Sequence, residues 1–264
     1  MKKVILATVL VGIGSTAALA ADMGARTPYA KAPVMMAPVA SWSGFYIGGN
    51  VGYGWGNGGT NFNFLPSAFL FGANNDSLGV HPKGVIGGAQ FGYNWQIGST
   101  VLGFETDIQG SGISGSATKR AMAVPPGTLG PAASLFTETK LSWFGTARVR
   151  LGFEIAPALL LYGTGGAAYG QTKTTANSTF PDSPTVTVQF PAALSGTKVG
   201  WTAGAGAEWM FARNWSAKFE YLFVDLENTS AVGVSSFDPT DPLHVRYTWK
   251  NQDHIVRAGV NYHF

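Results

Sequence analysis

The last eleven residues of the chain, 254–264 (HIVRAGVNYHF), alternate strictly between apolar and polar side chains and end on an aromatic ring. One face carries Val256, Ala258, Val260, Tyr262 and Phe264, and the other carries Arg257, Gly259, Asn261 and His263. A period of two is typical of a β-strand with one apolar and one polar face. Such a strand fits a soluble sandwich with its apolar face inward, or a membrane barrel with that face toward lipid.

The first twenty residues have the pattern of a secretory signal peptide. Lys2 and Lys3 precede an apolar run from Val4 to Ile13, and the small residues Ala18 and Ala20 form a cleavage pattern. The apolar run is too short to cross a bilayer as a helix. The chain contains no cysteine, which excludes acylation at the cleavage point and disulfides. We therefore predict an exported protein.

The composition argues against a water-soluble helical protein. The chain has 36 glycines and only 12% charged residues, whereas about 25% is usual for soluble domains. Without residues 1–20, which hold two lysines and no acid, 15 basic and 14 acidic residues remain, so the formal charge falls from +3 to +1. A nearly neutral chain is a poor candidate for binding nucleic acid through bulk electrostatics.

From Gly44 onward, eight segments show the alternation of the last one. They span residues 45–55, 85–96, 102–110, 143–153, 159–171, 201–211, 215–223 and 254–264. A tilted strand needs roughly 9 to 11 residues to cross a bilayer, which is close to these lengths. Odd and even positions of a strand point to opposite faces, and this parity separates an apolar face from a polar face in seven segments. In segment 159–171 the side chains are mostly small and apolar, so parity cannot assign its faces.

The connections between these segments alternate between short and long. Short turns are predicted at 97–99, 156–158 and 212–214, and long loops rich in Gly, Pro, Ser, Thr and Asn at 57–83, 112–140, 172–197 and 227–253. This pattern is typical of outer-membrane barrels with both termini in the periplasm. We predict an all-β protein, an eight-stranded antiparallel transmembrane up-and-down β-barrel (44–264), preceded by a signal peptide (1–20) and a Pro/Ala-rich flexible tail (21–43).

Large aromatic residues cluster at the ends of the predicted strands. The turn rim carries Trp42, Trp95, Phe153, Phe211, Trp215 and Phe264, and the loop rim carries Trp55, Trp143, Tyr169, Trp201 and Phe223. Aromatic rings favour the two membrane interfaces, so these residues predict two girdles. A soluble sandwich has no reason to sort its rings in this way.

The predicted inward face carries four acids and four bases. They are Glu105, Asp107, Glu208 and Glu220, with Arg148, Arg150, Lys218 and Arg257. An eight-stranded barrel is only just wide enough for its side chains to fill it, and an unpaired buried charge costs several kcal/mol. The charges therefore form either a paired, hydrogen-bonded plug or a narrow polar path.

No catalytic, cofactor or metal site is predicted. Gly163-x-Gly165-x-x-Ala168 matches a dinucleotide fingerprint by letter, but its surroundings read as a strand and no helix follows. The histidines show no metal spacing, and no set of Ser, His and acid gathers at one rim; they are His81, His244, His254 and His263. We therefore expect a protein that is not an enzyme.

Several runs of sequence together resemble one family. They are WSGFYIGGNVGYGWG (42–56), GGAQFGYNWQ (87–96), LYGTGGAAYG (161–170), AGAGAEW (203–209) and VRAGVNYHF (256–264). These runs look like the alphaproteobacterial outer-membrane proteins of the Omp25/Omp31 type, also called outer-membrane immunogenic or porin-family proteins. The resemblance implies an eight-stranded barrel surrounded by outer-membrane lipid. It also implies that Val260, Tyr262 and Phe264 form a terminal signal similar to that read by the barrel-assembly machinery.

The resemblance does not imply one activity. The leading hypothesis is a structural, surface-exposed barrel of the cell outer membrane, whose long loops are available for contact with a host, a phage or neighbouring cells. The alternative is a small porin-like channel for ions or small hydrophilic solutes. A lipid-modifying enzyme of eight strands lacks an identifiable pair of Ser and His.

Overall fold

The computed structural model describes residues 41–65, 75–121, 133–181, 186–240 and 242–264. Within these ranges the chain forms β-strands, and no helix is long and apolar enough to cross a membrane. The predicted signal peptide (1–20) lies outside the described residues, as does the predicted tail up to residue 40.

The described residues form eleven strands. They are β1 (Gly44–Gly56), β2 (Gly58–Leu65), β3 (Asn75–Val80), β4 (Lys83–Ile97), β5 (Thr100–Ser111), β6 (Ser114–Ala121), β7 (Ala133–Ala156), β8 (Leu159–Pro181), β9 (Thr187–Ala212), β10 (Trp215–Val234) and β11 (His244–His263).

Eight of these strands form an antiparallel ring. Neighbours pair in the order β1, β4, β5, β7, β8, β9, β10 and β11, and β11 pairs in turn with β1, from Tyr46↔His263 to Gly56↔Asp253. The predicted all-β antiparallel architecture is confirmed, and eight strands follow one another in the predicted order. The short connections between β4 and β5, β7 and β8, and β9 and β10 lie where the sequence predicts tight turns.

The two faces of the strands follow the predicted parity. Large apolar side chains point out of the ring, as Ile47 (50% exposed), Ile108 (57%) and Val149 (62%) illustrate. In β8, where parity could not decide, Leu161 points outward and Tyr162 points inward. Burial on one face and exposure on the other is what a barrel in lipid requires, because its outward face meets hydrocarbon rather than water.

The girdle prediction is wrong for Trp42, although the other predicted girdle rings lie outward, exposed or half-buried. The Trp42 side chain is 0% exposed and packs in a cluster with Val101, Leu160 and Met210 inside the turn rim. Its backbone N–H donates to Gln96 Oε1 at 2.9 Å. Trp42 precedes the first strand, so strand parity cannot assign it to a face. Its ring fills the barrel interior at the turn rim.

The prediction of four long loops is also wrong over most of the described residues. The range 57–83 contains β2 and β3, and 112–140 contains β6 and the start of β7. Strands β8 to β11 likewise run far into the ranges 172–197 and 227–253. The alternation continues there, as Val245, Tyr247 and Trp249 are buried on one face of β11, but abundant glycine, proline and polar residues conceal it in the sequence.

We call the strand regions beyond the predicted membrane segments the outer half. Here β9 and β10 pair only as far as Gly200↔Leu226; beyond that point β9 pairs with β8, and β10 with β11. The outer half is thus built as β10–β11–β2–β3 and β6–β7–β8–β9. Their shared core contains Phe62, Phe64, Leu135, Ala176, Phe190, Ala192, Val245, Tyr247 and Trp249.

Candidate functional site

The structure brings all eight predicted interior charges together as one buried network. Each is at most 4% exposed; they are Glu105 and Asp107 on β5, Arg148 and Arg150 on β7, Glu208 on β9, Lys218 and Glu220 on β10, and Arg257 on β11. Strand register creates much of the pairing, because it places opposite charges side by side. Glu105 lies opposite Arg148 and Glu220 opposite Arg257, and both pairs form ion pairs. Lys218 lies opposite Glu208, but its amine pairs with Glu105 instead.

Glu105 is the centre of this network. Lys218 Nζ donates to both of its carboxylate oxygens at 2.8 Å, and Arg148 Nη2 donates to Oε1. The Tyr46 hydroxyl donates to Oε2 at 2.8 Å, and Arg257 Nη2 lies 3.5 Å from Oε1. A carboxylate with so many donors is held as an anion, because charge-assisted hydrogen bonds replace its lost hydration.

Two further carboxylates connect Arg148 with Arg257. Arg148 Nη1 and Arg257 Nε donate to the two oxygens of Glu220 at 3.0 and 2.8 Å. Both guanidinium groups also donate to Asp107 Oδ2, at 3.0 and 2.9 Å. The Thr146 hydroxyl completes this group by donating to Asp107 Oδ2 at 2.8 Å. The two arginines are therefore held side by side by shared anions.

Arg150 and Glu208 form the part of the network nearest the turn rim. Arg150 Nη2 donates to Glu208 Oε2 at 2.6 Å, and the guanidinium lies 4.0 Å from the centre of the Tyr162 ring. Asn261 Nδ2 donates to Glu208 Oε1 at 2.7 Å, and the Ser216 hydroxyl donates to the same oxygen. Stacking on an aromatic face adds a cation–π contact to this ion pair.

Two inward glycines leave room for the tyrosine rings beside Arg150. A Cβ atom on Gly92 would overlap the Tyr46 ring, and one on Gly206 would lie 2.6 Å from Cζ of Tyr162. Each would also come within 2.7 Å of a backbone carbonyl oxygen on the next strand. Only glycine fits where a ring packs directly against a strand.

Apolar layers lie on both sides of the network. The cluster around Trp42 lies at the turn rim. On the other side lies a layer of Ile86, Ile113, Leu141, Phe144, Ala168, Leu222, Val224, Leu226 and Ile255. Because the four acids and four bases balance, the charges neutralise one another between these layers.

A serine, a histidine and an acid meet in this network, which the sequence prediction of no such set missed. Ser216 Oγ lies 2.9 Å from His263 Nε2, and Glu208 Oε1 lies 3.5 Å from the same nitrogen. In a catalytic triad the acid holds the other ring nitrogen, and serine donates to histidine. Here Ser216 donates to Glu208 and is 0% exposed, so the arrangement matches hydrogen bonding within a core.

The eight charges were predictable from parity, but several of their partners were not identified as site residues. Tyr46, Thr146, Asn261 and His263 lie on predicted polar faces, so parity could have included them. Tyr162 lies in the segment where parity fails, and the glycine opposite it, Gly206, is the sequence feature that could have indicated its ring.

The three residues of the predicted assembly signal, Val260, Tyr262 and Phe264, lie away from the network. Val260 and Phe264 are 42% and 73% exposed on the outward face, and the Tyr262 ring packs 5.1 Å from the Trp215 ring. In the part of the chain that the structure describes, no three His, Cys, Asp or Glu residues gather to hold a metal ion.

Comparison with known proteins gives consistent matches. Residues 6–264 match the family model described as outer membrane protein beta-barrel domain. The 31 kDa outer-membrane immunogenic protein of Brucella melitensis is 41% identical over 270 residues, covering 100% of both chains. The 22 kDa outer membrane protein of Rhizobium leguminosarum bv. viciae is 31% identical over 199 residues, covering 75% of this chain and 70% of that protein.

Among solved structures, the outer membrane protein OprG from Pseudomonas aeruginosa matches with a TM-score of 0.46. It is 13% identical and covers 84% of this chain and 97% of its own. The names of the curated relatives describe outer-membrane proteins and immunogenic proteins rather than enzymes.

Proposed function

This chain belongs to the outer membrane protein β-barrel domain family, and on that premise we propose that it is a structural, surface-exposed barrel with a sealed interior. Its outer half would then supply the surface for contacts with a host, a phage or neighbouring cells. Outer-membrane lipid would surround the outward apolar face. The barrel-assembly machinery would read Val260, Tyr262 and Phe264 during insertion.

The buried ion network is the observation that carries this proposal. All eight of its charged residues make at least one charge-assisted contact of 3.0 Å or less to an oppositely charged partner on another strand, and Arg148 and Glu105 pair directly. Apolar layers flank the network on both sides. An ion entering this interior would have to break paired contacts in a region of low dielectric constant, which is costly.

Planar-bilayer recording of the folded protein, residues 21–264, tests the sealed interior. We expect no steady conductance from wild type. The variant Glu105→Gln should also remain silent, because the apolar layers do not depend on that charge. Folding is checked first by the different migration of unboiled and boiled samples. Steady, salt-dependent openings that change in Glu105→Gln would overturn the sealed-barrel proposal.

The channel alternative has one specific observation in its favour. Both side-chain polar atoms of Asn94 and of Gln109 are buried without a hydrogen-bond partner among the residues that the structure describes, as is Asp107 Oδ1. Buried polar groups of this kind are usually satisfied by ordered water. A hydrated path beside the network would make the openings in the bilayer experiment sensitive to Gln109→Leu.

The proposed orientation places both termini in the periplasm and the outer half outside the cell. The chain has no native cysteine, so single cysteines can report exposure. We expect Phe237→Cys, at a position 72% exposed in the outer half, to react with a membrane-impermeant maleimide on intact cells. Ser99→Cys, in the β4–β5 turn, should react only after the outer membrane is permeabilised. The opposite labelling pattern would reverse the orientation.

A further inference from the structure

Asp253 is a buried acid that stands apart from the ion network. It lies on β11, one residue beyond the predicted membrane segment, and its side chain is 6% exposed. The four network acids are each paired with at least one base. Within the described ranges no base or hydrogen-bond donor compensates the Asp253 carboxylate, and burial of this group raises its pKa.

A small cavity adjoins this carboxylate. Its volume is about 10 Å³, and Asp253, Asn251, Thr139 and Thr172 contribute to its lining. Leu141 and Ile113, from the apolar layer above the network, also line it. This is room for about one water-sized particle.

A second unsatisfied oxygen belongs to the same cavity lining. Asn251 is 5% exposed; its Nδ2 donates to the Glu227 carbonyl oxygen at 2.9 Å, but its Oδ1 has no partner in the described part of the chain. Thr172 is 4% exposed and supplies a hydroxyl from β8. The cavity therefore joins one carboxylate to neutral oxygen groups from several strands.

From this arrangement we propose that the cavity binds one small, hard monovalent cation such as Na⁺, with the Asp253 carboxylate as its charged ligand. A buried carboxylate without a base must be compensated, and metal coordination is one way in which proteins do so. Carboxylate, amide and hydroxyl oxygens are the ligands that hard cations prefer. The single negative charge of Asp253 matches a monovalent ion. Lys250, an exposed residue that also lines the cavity, disfavours a cation with a second positive charge.

Thermal unfolding in matched salts tests the cation site. The loss of the folded gel band is measured for the folded full barrel in NaCl and in choline chloride at equal ionic strength. We expect wild type to unfold at a higher temperature in NaCl, by roughly 3 °C or more when Na⁺ exceeds its Kd tenfold. The difference should disappear in Asp253→Asn, which keeps the shape of the side chain, and shrink in Thr172→Val.

Asp238→Asn is the matched control, because Asp238 is a fully exposed acid in the outer half. This variant should keep the full Na⁺ dependence. An equal response to Na⁺ in wild type and Asp253→Asn would overturn the proposal. The proposal would also be overturned if the unfolding temperature of wild type did not respond to Na⁺, since Asp253 would then be neutralised by a proton. With CaCl₂ as a further salt, stabilisation by Ca²⁺ but not by Na⁺ would overturn it as well.

Because Asp253 lies outside the network, the conductance experiment and this experiment can fail independently. Sodium line broadening in NMR gives a direct reading of binding that does not depend on unfolding. We expect the wild-type protein to broaden the line more than Asp253→Asn does.

Discussion

Lys218 on β10 donates to both carboxylate oxygens of Glu105 on β5 at 2.8 Å, across the full width of the barrel. In the ring, three strands separate β5 from β10 on either side, so the two residues come from opposite walls. Neighbouring strands are held by backbone hydrogen bonds, but opposite walls are not. The ion pair therefore fixes the cross-section of the barrel.

Glu105→Gln should be among the most destabilising single changes in the membrane segment. It leaves Lys218 and the arginines around it with one anion too few, and breaking a buried pair costs about 3–5 kcal/mol. Denaturant unfolding of the protein in vesicles, followed by tryptophan fluorescence, measures the loss. Glu138→Gln, at an exposed position on β7, should change the unfolding free energy by less than about 0.5 kcal/mol.

The double variant Glu105→Gln/Lys218→Met separates pairing from packing. Removing both charges restores neutrality, so it should be more stable than Glu105→Gln alone, with a coupling energy of roughly 1–3 kcal/mol. Strictly additive losses would show that Glu105 acts through Arg148 and Tyr46 rather than through Lys218.

Gly92→Ala should destabilise the barrel by displacing the Tyr46 ring and straining β4 against β5. We expect a loss of roughly 1–3 kcal/mol, the usual range for overpacking. Gly87→Ala is the matched control on the same strand, because its added Cβ would point outward and meet only ordinary contact at 3.6 Å. Equal unfolding free energies for the two variants would contradict this explanation of the glycine.

Strand parity made the charged interior predictable, because Glu105 and Asp107, or Arg148 and Arg150, fall on one face by simple counting. Which acid meets which base was not predictable, since Lys218 reaches Glu105 across the barrel and not along the sequence. Parity also requires a contrast between faces, and the small apolar segment around Tyr162 offers none.

The outer half was missed for a different physical reason. Glycine, proline and polar residues in a connection indicate turns when judged alone. Phe62 and Trp249, which alternate with polar neighbours, nevertheless supply a core that holds strands together. Such a core depends on contacts between distant segments, which no single stretch of sequence reveals.

Tyr247 should lose its proton at a higher pH than an ordinary tyrosine does. Burial in the outer-half core raises its pKa to about 12 from an ordinary value of 10.0, because the phenolate would lose its hydration. The folded state therefore holds the proton more tightly than the unfolded state, so this contribution to stability is complete below about pH 10 and is lost between about pH 10 and 12. A tyrosinate absorbance titration of wild type minus Tyr247→Phe should show its midpoint near pH 12. A midpoint near 10 would mean that the ring is hydrated.

The outer half should unfold locally while the membrane segment stays folded. Trp249 is 1% exposed, and its Nε1–H donates to Thr137 Oγ1 at 3.0 Å, joining β11 to β7. Trp249→Ala should cost about 3–5 kcal/mol, as expected for a large buried ring. The cost falls on strands that lack the continuous pairing of the ring, since β9 and β10 separate beyond Gly200 and Leu226.

Trypsin gives the measurement, because Arg246 and Lys250 are exposed beside Trp249 on β11. Ordered strands resist cleavage, so wild type should be cut slowly and Trp249→Ala quickly at these two sites. Both proteins should keep the folded migration of unboiled samples. Phe237→Ala, which removes an exposed ring, should behave as wild type. If Trp249→Ala instead loses its folded migration, the outer half and the membrane segment unfold as one cooperative unit, and the core around Trp249 then stabilises the entire barrel.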